Sequence, residues 1–154
     1  MHERDPRQIV YALGSTFAQT AIVAPVFTLA ELEEAIRESW SLETSDDPDE
    51  WSSENAGRGQ CDITSLVVHD LLGGELLAAD VYLDGKRVES HMWNRLPSGA
   101  EVDLTRDQFK RGETVGQPTP RPRPLHVDPN HPRYHRYEKY LVLSQRVRTR
   151  LGLS

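Results

Sequence analysis

The hydrophobic period of the chain changes at Gly73-Gly74, and that change leaves few folds open. Upstream, Ile63, Leu66, Val67 and Leu71 recur at helical spacing, so residues 62–72 read as a helix that the two glycines stop. Downstream, apolar residues come in short runs separated by turn residues: 76–83, the turn Asp84-Gly85-Lys86, 88–96, the turn Pro97-Ser98-Gly99, and 102–105. A helix followed directly by an antiparallel meander is an α+β arrangement, in which the helix buries its stripe on the sheet.

Helices are expected on both sides of this unit. Thr28-Leu29-Ala30-Glu31 reads as a capping box, with Leu29, Leu32, Ile36 and Trp40 on one face and Glu31, Glu34 and Glu38 opposite. Before it, residues 1–27 have no clean period, and the stretch from Ile9 to Phe27 reads as mixed or partly helical. Between the two helices, residues 41–59 are polar and rich in breakers and form a long surface loop of the kind that carries function. Trp51 within it either plugs the loop onto the core or lines a substrate groove.

Residues 107–131 are expected to be extended and partly polyproline, without sheet or helix, with a proline-rich linker at 110–131. Pro132 suits the first turn of a last helix over 132–152, where Tyr134, Tyr137, Leu141 and Arg148 flank a stripe completed by Val147 and Leu151. Its tyrosines read as core and rim packing, and an exposed aromatic surface there would suit a homodimer.

At 154 residues the chain is read as a single domain, and its 37% hydrophobic content implies that part of it is loop or tail. No apolar run is long enough to span a bilayer and the start has no signal-peptide layout, so a soluble cytoplasmic protein is expected, with no membrane partner. The net charge of −6 is unevenly spread. Residues 121–150 hold eight Lys and Arg against Asp128 and Glu138, a net +6, which leaves −12 for the rest. The simplest account is a basic end packed on an acidic body. A net acidic chain without interleaved basic and aromatic residues excludes nucleic acid as an expected partner.

Cys61 is the only cysteine, which rules out an internal disulfide and any multi-cysteine zinc site. It stands where Gly57-Arg58-Gly59-Gln60 runs into the 62–72 helix, and a helix N-terminus favours the thiolate. His91 and Asp103 are the other two types a thiol nucleophile needs, a proton shuttle and a group that orients it. A three- or five-residue turn centred on Pro97 would set His91 directly opposite Asp103, with Cβ atoms roughly 5 Å apart. An even-numbered turn would slip the register. The oxyanion would be held by the Cys61 backbone N–H with a side-chain amide from the preceding loop, Gln60 or Asn55. Asn94 is an alternative third member but alternates to the other strand face from His91.

Zinc is the direct rival for Cys61, His91 and Asp103, with a water in the fourth position. The chain has no close pair such as His-x-x-x-His or Cys-x-x-Cys, so neither metal nor cofactor is expected. His126, His131 and His135 fit a solvated basic segment, and His69 lies too far along its helix to join Cys61.

The stretches Ser41–Pro48, Trp51–Asn55, Gly59–Asp70, Gly73–Leu77, His91-Met92-Trp93-Asn94-Arg95-Leu96 and Glu101–Phe109 closely resemble the bacterial YunG-like proteins, over roughly residues 29–109 with a looser match in the last helix. The motif order is also similar to the papain-like group, including transglutaminase-like and NlpC-type peptidases, in which a Cys-bearing helix packs on an antiparallel sheet bearing His and a polar third residue. His91-Met92-Trp93 followed by Asp103-Leu104-Thr105 is particularly similar to transglutaminase-like domains. This resemblance implies a papain-like domain in which Cys61 is nucleophile, His91 base and Asp103 orienter. The expected activity is that of a cysteine hydrolase or an acyl or amide transferase acting on a peptide or other amide or acyl substrate. A non-catalytic binding or regulatory module is the alternative, with the Trp51 loop and the Trp93 face as its recognition surface.

Overall fold

The computed structural model describes residues 10–12, 26–123 and 127–153, and it is α+β, with three helices and a curled antiparallel sheet among those residues. Strand β1 (Val10–Ala12) pairs antiparallel with β2 (Val26–Thr28), so part of the stretch expected to be mixed or partly helical is a two-stranded ribbon. The rest of residues 1–25 lies outside the described residues, as does His126.

Helix α1 (Leu29–Ser39) starts where the capping box places it. The Glu31 N–H donates to Thr28 Oγ1 at 3.0 Å, and the Thr28 N–H reaches Glu31 Oε1 at 3.4 Å. Leu29, Leu32, Ala35 and Ile36 are buried, and the Trp40 indole N–H donates to Thr64 Oγ1 at 2.9 Å, tying the end of α1 to α2 (Cys61–Leu72). The last helix, α3 (Tyr134–Arg150), completes this core with Leu143 and Val147. Leu143 was absent from the stripe read in the sequence, and Leu141, placed beside it, is 45% exposed.

The acidic body and basic end do meet. Arg146 pairs with Glu43, Arg150 with Glu38, and Arg136 with both Asp46 and Asp62, the carboxylates lying on or between α1 and α2. Each pair is partly exposed and adds up to about 1 kcal/mol, so orientation of α3 is their larger effect.

The main sheet runs in the order β5 (Glu101–Val102), β4 (Lys86–Arg95), β3 (Glu75–Leu83), β6 (Thr114–Val115), with β7 (Thr119–Arg121) also on β3. Asp84 and Gly85, both at positive φ, make the two-residue hairpin turn between β3 and β4. The proline-bearing stretch corrects the expectation of a linker without sheet, because β6 and β7 both come from it and cover the free edge of β3. Pro120 is tolerated in β7 because an edge strand has no neighbour on its outer side to need its missing N–H.

Both faces of the sheet are covered. On one, Leu76 and Met92 meet Leu66 of α2 and Tyr140 of α3; on the other, Leu77, Ala79 and Trp93 form a second small core. Strand alternation therefore puts Met92 and Asn94 on the α2 face and His91 and Trp93 on the opposite one. Asn94 accordingly donates to Ser65 O of α2 at 2.9 Å. Among the described residues no helix is long and apolar enough to cross a membrane.

The step from α2 into β3 depends on Gly74 at φ +86°, where an added Cβ would lie 2.1 Å from Arg95 O and 3.0 Å from Leu96 Cα. Gly85 has a similar φ of +76° but open space around it. Gly85→Ala is therefore expected to cost about 1–2 kcal/mol, a fall in Tm of roughly 2–8 °C. Gly74→Ala should cost distinctly more, because the Arg95–Leu96 backbone must also move. Paired thermal melts check this, and equal shifts would refute the close approach of the two chain segments.

Candidate functional site

Cys61 is the first residue of α2, and the loop that delivers it is clamped from three directions. Arg58, 7% exposed, reaches Asp47 Oδ2 at 3.0 Å, Glu89 Oε1 of β4 at 3.2 Å and Glu113 Oε1 at 3.9 Å. Burial by itself would lower its pKa, but Glu89, Asp47 and Glu113 outweigh that and hold the guanidinium above the ordinary arginine value. Gly59 follows at φ +74°, pressed so close to Ser45 and Asp47 that a Cβ would meet Ser45 Oγ at 2.5 Å. Its carbonyl accepts from the Asp46 N–H at 2.9 Å.

The Gly59 N–H, a pure donor, points to Gln108 Oε1 at 3.3 Å. That fixes which end of the Gln108 amide is oxygen, and the Nε2 end then donates to Thr105 Oγ1 at 3.0 Å and faces His91 Nδ1 at 3.3 Å. With Nδ1 accepting, the proton of the neutral ring sits on Nε2, which donates to Asp103 Oδ2 at 2.7 Å. The other oxygen, Asp103 Oδ1, accepts from the Thr105 N–H at 3.3 Å and from its hydroxyl at 3.4 Å. The His91 ring is 1% exposed. Trp93 stacks on it at 5.4 Å between centroids, and Phe109 meets it edge-on at 4.6 Å.

His91 and Asp103 meet by a different register from the expected one. The pairs are Asn94 with Val102 and Arg95 with Glu101, so the turn spans five residues centred on Ser98 rather than Pro97. The Leu96 N–H and Ala100 carbonyl close it at 2.8 Å, Gly99 at φ +90° making the reversal, because Leu96 belongs to the core and stays behind with the strand. An odd-numbered turn preserves the face while moving the pairing by two residues. β5 stops at Val102, and Asp103, diagonal to His91, reaches it with its side chain.

The thiol departs from expectation in its electrostatics. Burial pushes the Cys61 thiol well up, the adjacent Asp62 carboxylate pushes it further, and only the backbone N–H of Met92 opposes them among the leading influences. The helix N-terminus does not prevail over burial and over Asp62, which lies in the same first turn with Oδ1 3.4 Å from Sγ. Met92 directly follows His91 in the chain, yet among the described residues no hydrogen bond joins Cys61 to His91.

The remaining residues singled out in the sequence are distributed as follows. Gln60 is fully buried and gives its amide N–H to Ser41 O at 3.1 Å, with Oε1 unpartnered. Asn55 donates to Gln108 O at 3.2 Å, holding the turn Arg106–Gln108. The Trp51 indole N–H donates to Ala56 O within its own loop at 3.0 Å, and the indole N–H of Trp93 to Glu101 Oε1 at 2.7 Å. No group of three or more metal-binding side chains occurs among the described residues. Sequence reasoning missed Arg58 and Gln108, although both stand inside stretches it had marked, Gly57–Gly59 and Glu101–Phe109.

Two outcomes follow. Replacing Arg58 by Met leaves Glu113, whose side chain is 4% exposed, buried without its cation, and should cost about 3–5 kcal/mol in urea unfolding; a loss below about 1 kcal/mol would mean the cluster is a solvated surface network. A thiol pKa raised by folding stabilises the fold fully below the unfolded value of about 8.5 and loses that contribution as pH rises through the folded value. Wild-type stability should therefore fall relative to Cys61→Ser on the alkaline side only, and parallel curves throughout would contradict the shift.

Residues 28–152 match the model of one protein family, described as YunG protein. No curated protein and no solved structure matches the chain.

Proposed function

The chain belongs to the YunG protein family, and we propose that it is a cytoplasmic cysteine hydrolase or acyl or amide transferase on a papain-like scaffold. Cys61 is the nucleophile, His91 the base and Asp103 its orienter. The observation that carries this reading is the 2.7 Å bond from Asp103 to Nε2 of His91, whose neighbour in β4, Met92, draws the Cys61 pKa down through its backbone N–H. Anchoring Nε2 leaves Nδ1 as the basic nitrogen, and a carboxylate partner stabilises the imidazolium that forms during proton transfer.

Because the resting thiol is neutral, the reaction begins with deprotonation. Substrate entry displaces the Gln108 amide from Nδ1, and Nδ1 takes the Sγ proton as sulfur attacks the carbonyl carbon. The developing oxyanion is met by the Cys61 backbone N–H at the start of α2. Gln60 and Asn55 each hold one of their two amide N–H groups on a backbone carbonyl, and Gln108, released from the ring, joins them as a side-chain donor. The tetrahedral centre collapses to a thioester while Nδ1 returns its proton to the leaving amine or alcohol. Water completes a hydrolysis, and an acceptor amine completes a transfer.

The raised thiol and the lack of a Cys61–His91 hydrogen bond favour a second reading, a binding or regulatory module that retains the scaffold without turnover. Incubation with p-nitrophenyl acetate separates the two. The enzyme reading expects a release burst and an acetyl adduct on Cys61 by intact mass. Both should vanish in Cys61→Ala, and the rate should fall by about 100-fold or more in His91→Ala. No adduct at any pH at which the protein stays folded would leave the binding module standing.

A further inference from the structure

An open cleft of about 500 Å³ lies on the α2 side of the sheet, and its charge is opposite to that of the chain as a whole. Four guanidinium groups, Arg87, Arg121, Arg133 and Arg136, face two carboxylates, Asp62 and Asp80, which leaves two positive charges in a chain of net −6. Arg87 is paired with Asp80 at 2.7 Å, and Arg136 with Asp62 at 3.1 Å. Arg121 and Arg133 have no carboxylate partner among the described residues. Both stand on ordered backbone: Arg121 in β7, paired with Leu76, and Arg133 at the cap of α3. Between the charges the wall is mixed, Ala78 and Met92 standing beside Ser90, Gln117 and Thr119.

Cys61 itself does not line the cleft, but two of its neighbours do. Asp62 and Met92 line it, and these are the two residues that act on the Cys61 sulfur, Asp62 through Oδ1 and Met92 through its backbone N–H. The geometry points to this cleft as the binding site for the acidic part of the substrate, a small ligand carrying two oxyanion groups. Its size falls in the range of small-molecule sites, and guanidinium groups suit carboxylate and phosphate equally because both accept paired N–H donors. The inference deepens the hydrolase or transferase reading and rests on it for the word substrate; the binding site itself does not.

Calorimetric titration of the full chain with two probes, a triglutamate peptide and inorganic pyrophosphate, tests it. The expected result is saturable binding that weakens with added salt, the tighter probe naming the oxyanion. Arg121→Gln/Arg133→Gln should weaken it by at least about tenfold with an unchanged melting temperature in the absence of probe. Arg111→Gln, an exposed arginine outside the cleft, should leave it unaltered. No saturable binding of either probe at low salt, or an equal loss in Arg111→Gln, overturns the inference. Repeating the titration on Cys61→Ser keeps the two readings apart. Retained binding alongside a failed acetylation removes the enzyme and keeps the cleft, whereas acetylation with binding indifferent to Arg121 and Arg133 removes the cleft alone.

Discussion

The buried Arg58 cluster is the constraint on which the rest of the molecule turns. One cation joins Asp47 of the long loop, Glu89 of β4 and Glu113 of the segment leading into β6, three stretches far apart in sequence. Gly59, next in the chain, is packed so tightly against Ser45 and Asp47 that the loop has little freedom to shift. Two residues later α2 begins, so the position of Cys61 relative to β4 follows from an ion cluster rather than from the helix itself. A charge buried among three carboxylates resists rearrangement because exposing any one partner alone leaves another unpaired in a medium that solvates charge poorly.

The same loop reaches the histidine through a single amide. Gln108 accepts from Gly59 and donates to His91 and Thr105, while Thr105 and His91 both donate to Asp103. Each donor in this chain has one acceptor whose identity is set by the group before it, so the tautomer of His91 is dictated from the Gly59 N–H. The ring is consequently held in one orientation by polar contacts on both nitrogens and by Trp93 and Phe109 on its sides. Such a network is rigid when complete, and opening Nδ1 to the thiol requires the Gln108 amide to find another partner.

Much of the fold was legible in the sequence where the cause is local. The capping box at Thr28 and Glu31, the glycine stop after Leu72 and the Asp84-Gly85 turn each depend on residues within a few positions of one another. The pairing of His91 with Asp103 was legible in parity but not in register. An odd turn keeps both on one face, whereas the two-residue displacement depends on Leu96 being drawn into a core assembled from the three helices. The strands of the proline-bearing stretch were hidden because prolines argue against sheet except at an edge, and only the tertiary arrangement makes 119–121 an edge. Arg58 and Gln108 were hidden for a related reason, since an arginine or glutamine in a polar loop reads as solvated until its partners from other segments are in place.

The helices, the hairpin, the α+β class and the presence of a thiol, an imidazole and a carboxylate at suitable positions are written in the chain itself. Those follow from steric preference and side-chain periodicity, which act over one or two turns of chain. The raised pKa of the thiol, the tautomer of the histidine and the gathering of four arginines in one cleft come from long-range packing. Each of these is a sum of burial and charge over segments distant in sequence, and electrostatic energy depends on distance in space and on exclusion of water, neither of which a linear pattern records.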